Sequence, residues 1–168
     1  MDKTAYNARW RSGGSTMVIL ALDVGQARIG LAVSDPTEFL ATPHAVIQRR
    51  STASAVEAVA RAVAEVGAEQ VLIGLPISLD GALHQQAEAA RSFGSRIEQR
   101  LQMPIVYWDE RYSTVAAAEA LRAAGVRPER MKERIDAVAA AMILQDYLDH
   151  RRGERTSGQS TAETGASS

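Results

Sequence analysis

The sequence predicts an α/β domain in which helices cover both faces of a mixed sheet of about five strands. Three short apolar segments come first and follow one another closely, which is typical of antiparallel strands joined by turns. Apolar segments then alternate with stretches of helical composition, and this alternation predicts parallel strands joined by helical crossovers. A length of 168 residues fits one such domain and is short for two.

The first three strands are predicted from apolar runs near the start of the chain. Residues 17–22 form a continuous apolar run that ends at Asp23, which is typical of a buried strand. A turn at residues 24–26 leads into residues 28–34, the expected hairpin partner of the first strand. Residues 45–48 are predicted to form a third, shorter strand.

The remaining elements alternate between helix and strand. Ser51 or Thr52 can cap a helix over residues 52–66, and Gly67 can end it. An apolar strand follows at residues 70–75. After it the pattern predicts a helix over residues 82–101, a strand over 104–110, a helix over 113–124 closed by Gly125, and a last helix over 135–150.

The two ends of the chain differ in composition from the middle. Residues 1–16 are polar and glycine-containing, and we expect a flexible leader there. Residues 17–150 form the predicted domain, and residues 151–168 are rich in Gly, Ser, Thr and Ala, so we expect a disordered tail. No apolar run approaches the roughly 20 residues of a membrane span, and the leader lacks the apolar core of a signal peptide. A cytoplasmic protein is expected.

The composition excludes several kinds of site. The chain has no cysteine, which rules out disulfides, thiolate chemistry and cysteine-bound zinc. Its three histidines, His44, His84 and His150, are isolated, so a histidine-rich metal site is not expected. The net charge is -1, and nucleic-acid binding would therefore have to use local basic clusters.

Asp23 is the first candidate for chemistry. A carboxylate at the end of a buried strand is costly unless a metal, a basic side chain or backbone donors compensate it. The alternative is that Asp23 starts an Asp-x-Gly turn, and on this motif alone the turn interpretation is favoured.

Two adjacent acids, Asp109 and Glu110, end a later predicted strand. Side chains alternate across a strand, so only one of the two can enter a site with Asp23. The pattern leaves open which one does. The alternative is that both are solvated and that Arg111 pairs with one of them.

Asp136 lies near the start of the last predicted helix, on the side of its apolar face. At 100° per residue that face comprises Ala137, Ala140, Ala141, Ile143, Leu144, Tyr147 and Leu148. An acid on this side is either a helix cap or a ligand that reaches into a site. The two strand-end acids on the same predicted sheet favour the ligand.

Three convergent carboxylates suit hard cations, and Mg²⁺ or Mn²⁺ fits best. Two such ions about 3.5–4 Å apart can activate a water and stabilise the leaving oxygen of a phosphodiester. The pattern therefore predicts a metal-dependent nuclease with two ions.

Four stretches, in this order, resemble the YqgF/RuvX family. They are DVGQARIGLA (23–32), GLP (74–76) with Gly81, DERYST (109–114) and IDAVAAAMILQDYL (135–148). The likeness runs over residues 17–150. It implies an RNase H-like fold related to RuvC-type Holliday junction resolvases. By resemblance, the family's catalytic, metal-binding acids fall on Asp23, Glu110 and Asp136, which selects Glu110 over Asp109.

The chain departs from the family pattern at three places. The family often has a lysine at Ala27, a leucine at Tyr112, and a Lys-Gly pair where this chain has Lys132 and Glu133. None of these positions is one of the three acids. The Glu133 change adds negative charge near the expected phosphate path and puts that contact in doubt.

Basic and hydroxyl side chains flank the three acids and are the expected nucleic-acid contacts. They are Arg28, Arg111, Ser113, Thr114, Arg127, Arg130, Lys132 and Arg134. The alternative for the basic segment is a solvated loop that pairs with its own acids. Few aromatic side chains are available for base stacking, so recognition of backbone and shape is expected.

The resemblance implies processing of the 5′ end of precursor 16S ribosomal RNA, a structured RNA partner. The alternative in the same class is a Holliday junction resolvase that acts on branched DNA, which should be a symmetric homodimer. An actin-like nucleotide-binding protein also carries an Asp-x-Gly hairpin but needs two such domains. A non-catalytic binding module on this fold is disfavoured because all three acids are present.

Overall fold

A computed structural model describes residues 17–76, 81–110, 118–119 and 122–162, with the backbone alone at 81–83, 132–133 and 156–162. Strands and helices follow the predicted order. They are β1 (Ile19–Val24), β2 (Arg28–Ser34), β3 (Ala41–Gln48), α1 (Thr52–Val66), β4 (Gln70–Pro76), α2 (Gly81–Leu101), β5 (Ile105–Glu110) and α3 (Pro128–Ala162).

The five strands form one mixed sheet in the order β3-β2-β1-β4-β5. The hairpin pairs β1/β2 and β2/β3 are antiparallel, whereas β1/β4 and β4/β5 are parallel. The predicted mixed sheet of about five strands is therefore confirmed. Four strands, β1, β3, β4 and β5, run in the same direction, so their carboxyl ends lie at one edge of the sheet.

Helices cover both faces of the sheet, as predicted. On one face Leu22 and Ile73 pack against α1 and α2, with Val59 and Phe93 in the same buried cluster. On the other face a second cluster packs residues of β1, β2 and β4 against α3, whose predicted apolar face is buried. No helix of the described residues is long and apolar enough to cross a membrane.

Helix α1 has the predicted bounds because both of its ends are encoded locally. The Ser51 side chain accepts a hydrogen bond from the Ser54 backbone N–H at 3.1 Å, and Ser54 Oγ accepts one from the Ser51 N–H in return. At the other end Gly67 adopts a left-handed conformation, φ 66°, and its N–H donates to the Val63 carbonyl.

Strand β3 is longer than predicted. It begins at Ala41 rather than at residue 45 and passes through Pro43, which pairs with Ala32. The register shifts between Leu31 and Ala32, so the proline lies beside a bulge. Proline is tolerated there because β3 is an edge strand, and only the tertiary structure shows which strand is at an edge.

Helix α3 extends beyond the predicted 135–150 at both ends. Pro128 suits the first turn of a helix, where its missing N–H is not needed. The disorder expected for 151–168 is wrong for residues 151–162, which continue the helix. The reason is a distant contact: Arg151 and Arg155 donate to Glu38 at 3.0 and 2.8 Å. The predicted leader, 1–16, and most of the predicted helix over 113–124 lie outside the described residues.

Candidate active site at the carboxyl edge of the sheet

The position of Asp23 follows from the alternation of side chains along β1. Ile19 and Ala21 belong to the cluster that packs against α3. Asp23, two residues further, therefore faces α3 at the carboxyl edge of the sheet.

The same alternation along β5 distinguishes the two adjacent acids. Val106 and Trp108 pack with the α3 cluster, so Glu110 lies on the face that Asp23 shares. Asp109 lies on the opposite side of the strand and is exposed. The structure thus places Glu110, and not Asp109, beside Asp23.

Gly74 on β4 lies between these two acids and makes room for one of them. Its partner in the parallel pair β4/β5 is Trp108. A Cβ atom at Gly74 would lie 2.4 Å from Glu110 Oε2 and 2.9 Å from Ile143 Cδ1. Only a glycine lets the Glu110 carboxylate lie across β4 towards Asp23. The GLP stretch therefore serves to accommodate an acid of the site.

Asp136 reaches the site because α3 lies directly against β2. A Cβ atom at Gly30 would lie 1.9 Å from the Asp136 carbonyl oxygen and 2.8 Å from the Ala137 nitrogen. Gly30 is thus required for the close approach of α3 to β2. Because α3 begins at Pro128, Asp136 lies well inside the helix, and the helix-cap alternative is wrong.

The Asp136 carboxylate is paired in this structure. Arg28 Nε donates to Asp136 Oδ2 at 2.7 Å, and both side chains are partly exposed. Arg28, expected to contact nucleic acid, is therefore occupied by one of the three acids.

A single cleft of about 350 Å³ is lined by all three predicted acids, Asp23, Glu110 and Asp136. Burial, together with the charge of Asp136, raises the pKa of Asp23 to about 6. Burial, together with the charges of Asp23 and Asp109, raises the pKa of Glu110 to about 7. Glu110 Oε2 is also buried without a hydrogen-bond partner. Among the described residues no basic side chain offsets these pKa shifts. A bound divalent cation would supply the compensating positive charge.

The fit to a metal is better for two of the acids than for the third. Asp23 and Glu110 have uncompensated oxygens of the kind that Mg²⁺ or Mn²⁺ takes. Within the described residues no three acids or histidines stand close enough together to hold one ion. Arg28 holds one carboxylate oxygen of the third acid, Asp136.

Three of the other predicted nucleic-acid contacts are described, and none of the three lines this cleft. Arg127, Arg130 and Arg134 are exposed around the start of α3 and do not belong to its lining. The side chain of Lys132 is not described. Arg111, Ser113 and Thr114 lie outside the described residues.

Four polar residues of the cleft were missed from the sequence: Gln26 in the turn after β1, Arg49, Gln85 and Gln86. Arg49 directly follows β3, which ends at the same edge as β1, β4 and β5. The predicted strand order already indicated this position of Arg49, because two successive hairpins return β3 to the direction of β1. Gln85 and Gln86 lie in the first turns of α2, which follows β4 at this edge.

Comparison with known proteins agrees with this architecture. A family model described as "RuvX: Holliday junction resolvase" matches residues 17–150. A relative from Chloroflexus aurantiacus is 42% identical over 135 residues, 80% of this chain and 88% of the relative. One from Moorella thermoacetica is 41% identical over 133 residues, 79% of this chain and 95% of the relative. Both are named "Putative pre-16S rRNA nuclease".

Among solved structures, Thermus thermophilus RuvC in complex with a Holliday junction substrate superimposes with a TM-score of 0.51. The match covers 82% of this chain and 96% of RuvC at 17% identity, a level that supports the fold alone. It confirms the RNase H-like fold. With the family match over residues 17–150 and relatives above 40% identity, the chain belongs to the RuvX family.

Proposed function

We propose that the protein is a divalent-metal-dependent nuclease that processes the 5′ end of precursor 16S ribosomal RNA in the cytoplasm. One observation carries the chemistry: two half-buried carboxyls, Asp23 and Glu110, with pKa values raised to about 6 and about 7, share a cleft with Asp136. Membership of the RuvX family and the names of the relatives support the substrate.

The three acids have different roles in this proposal. Asp23 and Glu110 are held on adjacent parts of a rigid sheet edge, and they provide the oxygen ligands of Mg²⁺ or Mn²⁺. Two ions held by these acids would supply an activated water and positive charge for the leaving oxygen. Asp136 would complete the ligand set if its carboxylate exchanged Arg28 for the cation, and Arg28 would then be available to a phosphate.

The test is cleavage of a precursor RNA that carries the 5′ extension, with Mg²⁺ and with Mn²⁺, by wild type and by Asp23→Asn. We expect a loss of cleavage rate greater than about 100-fold, with RNA binding largely retained. Asp109→Asn is the matched control, because this neighbouring carboxylate is exposed on the other side of β5. An Asp23→Asn protein that cuts at the normal rate would contradict the mechanism.

The second candidate, a Holliday junction resolvase, is favoured by the description of the matching family. The same chemistry on four-way DNA requires two sites related by symmetry, and therefore a homodimer. Incubating one preparation with the ribosomal precursor and with a four-way junction separates the two candidates. Paired incision of the junction with the RNA left intact would overturn the ribosomal assignment and retain the nuclease.

A further inference from the structure

We propose that Arg49 binds a backbone phosphate of the nucleic acid next to the one that is cut. The proposal rests on the proposed function, since it assigns a further contact to the same cleft. Arg49 lines the cleft together with the three acids. It lies in none of the four stretches that resemble the family.

Arg49 is fixed to the turn that follows Asp23. Its backbone N–H donates to the Ala27 carbonyl at 2.8 Å. Its Nη1 donates to the Gly25 carbonyl at 2.9 Å. The guanidinium and the Asp23 carboxylate are therefore held by the same short piece of backbone, so their separation changes little when the rest of the cleft moves.

The Phe93 ring also orients the Arg49 guanidinium. Its central carbon lies 5.0 Å from the centroid of the Phe93 ring, and Phe93 is a buried residue of α2. A cation held over an aromatic face loses little additional freedom when it binds an anion. The arginine is thus pre-organised for a planar contact.

Most of its hydrogen-bonding capacity remains available. An arginine has five N–H donors, and the described contacts use one of the side-chain donors, on Gly25. Among the ion pairs of the described residues, Arg28 is held by Asp136 and Arg100 by Glu57, whereas Arg49 takes part in none. A fixed guanidinium with free donors in a cleft suits a phosphate, which it can contact with two hydrogen bonds.

The surrounding chemistry favours a backbone phosphate over a free anion. Three carboxylates line the same cleft and repel a small anion that is not also held elsewhere. A nucleic acid is held at many points, and a fixed cation at the rim offsets part of that repulsion. Backbone contacts of this kind position a substrate without reading its sequence.

The experiment measures binding in an Asp23→Asn background, so that the nucleic acid is not cut. Arg49→Gln, Arg49→Lys and Arg50→Gln are compared by fluorescence anisotropy over a salt series. The probes are a precursor 5′ RNA fragment and a four-way DNA junction. Arg50 is the matched control, because it is the exposed neighbour of Arg49 and does not belong to the cleft lining.

We expect Arg49→Gln to raise the Kd about 10-fold on at least one probe and to lower the salt slope of log Kd by about one unit. Arg49→Lys should keep the salt slope but bind more weakly than the parent, because lysine retains the charge without the planar pair of donors. Arg50→Gln should match the parent in both measurements.

Unchanged Kd and salt slope in Arg49→Gln on both probes would overturn the proposal. If Arg49→Gln does not fold, the Arg49→Lys protein decides: binding as tight as that of the parent would also overturn the proposal. These results are independent of the nuclease assignment, which depends on whether Asp23→Asn still cuts.

Discussion

The acids of the cleft lower the stability of the folded protein at neutral pH. Folding raises the pKa of Asp23 from 3.8 to about 6, mainly through burial, so the folded protein holds this proton more tightly than the unfolded chain. The resulting contribution to stability is fully present below about pH 4 and is lost as the pH rises through about 6. In the metal-free protein at neutral pH, the Asp23 carboxylate therefore destabilises the fold.

Asp23→Asn should consequently be more stable than the wild type in the absence of divalent ions. With one pKa unit equal to about 1.4 kcal/mol, the gain in unfolding free energy should be on the order of 1–3 kcal/mol at pH 8 and close to zero at pH 4. Urea unfolding in EDTA at both pH values measures it, with Asp109→Asn as the exposed control. An equal gain at the two pH values would show that charge burial is not the cause.

At the scale of elements, the site depends on how closely α3 approaches the sheet. Gly30 on β2 lies under the backbone of Asp136 and Ala137, and a side chain there would overlap the helix itself. The overlap involves backbone atoms, which cannot rotate away as a flexible side chain would. Relief therefore requires moving α3, and Asp136 with it, away from the sheet.

Gly30→Ala should lower the free energy of unfolding by about 2–3 kcal/mol or more, because overpacking against backbone is poorly relieved. Gly153→Ala is the matched control: it lies in α3, and a Cβ atom there meets nothing within 4 Å. That control should be unchanged or gain about 0.5–1 kcal/mol. Thermal and urea unfolding of both variants test the pair, and equal stability of the two would contradict the assigned contact.

At the scale of the whole molecule, α3 joins the cleft to the opposite edge of the sheet. Asp136 lies at the carboxyl edge, and Arg151 and Arg155 reach Glu38 in the connection between β2 and β3 at the other edge. The Glu38 side chain is only 5% exposed, and each of its carboxylate oxygens pairs with one of these arginines. Residues 151–155 of the helix are therefore part of the packed structure, although the family match ends at residue 150.

A chain that ends at His150 should lose up to about 3–5 kcal/mol of unfolding free energy, because a buried carboxylate is left without its partners. Glu38→Gln should restore part of the loss in the shortened chain but should destabilise the full chain, where it breaks the two ion pairs. Urea unfolding of the full chain and the shortened chain, each with and without Glu38→Gln, gives the sign of the stability change in both. A Glu38→Gln change that acts in the same direction in both chains would rule out this role of the tail.

The sequence by itself determined the order of the described elements and two of the three candidate acids. Strand β2 and helix α1 have the predicted bounds, since alternation, capping by Ser51 and the end at Gly67 are local signals. Asp23 and Asp136 were also found locally, one as an acid that ends an apolar strand and the other as an acid on an apolar helix face.

Only the tertiary structure decided what these residues meet. Whether Asp109 or Glu110 faces the site depends on which face of the sheet α3 covers, and the residue pattern alone left that open. The Arg28–Asp136 pair joins residues 108 positions apart, and the Arg151–Glu38 pair joins residues 113 apart. Arg49 enters the cleft because two successive hairpins return β3 to the same edge as β1. Local patterns fix backbone conformation, whereas these contacts arise only when distant segments pack together.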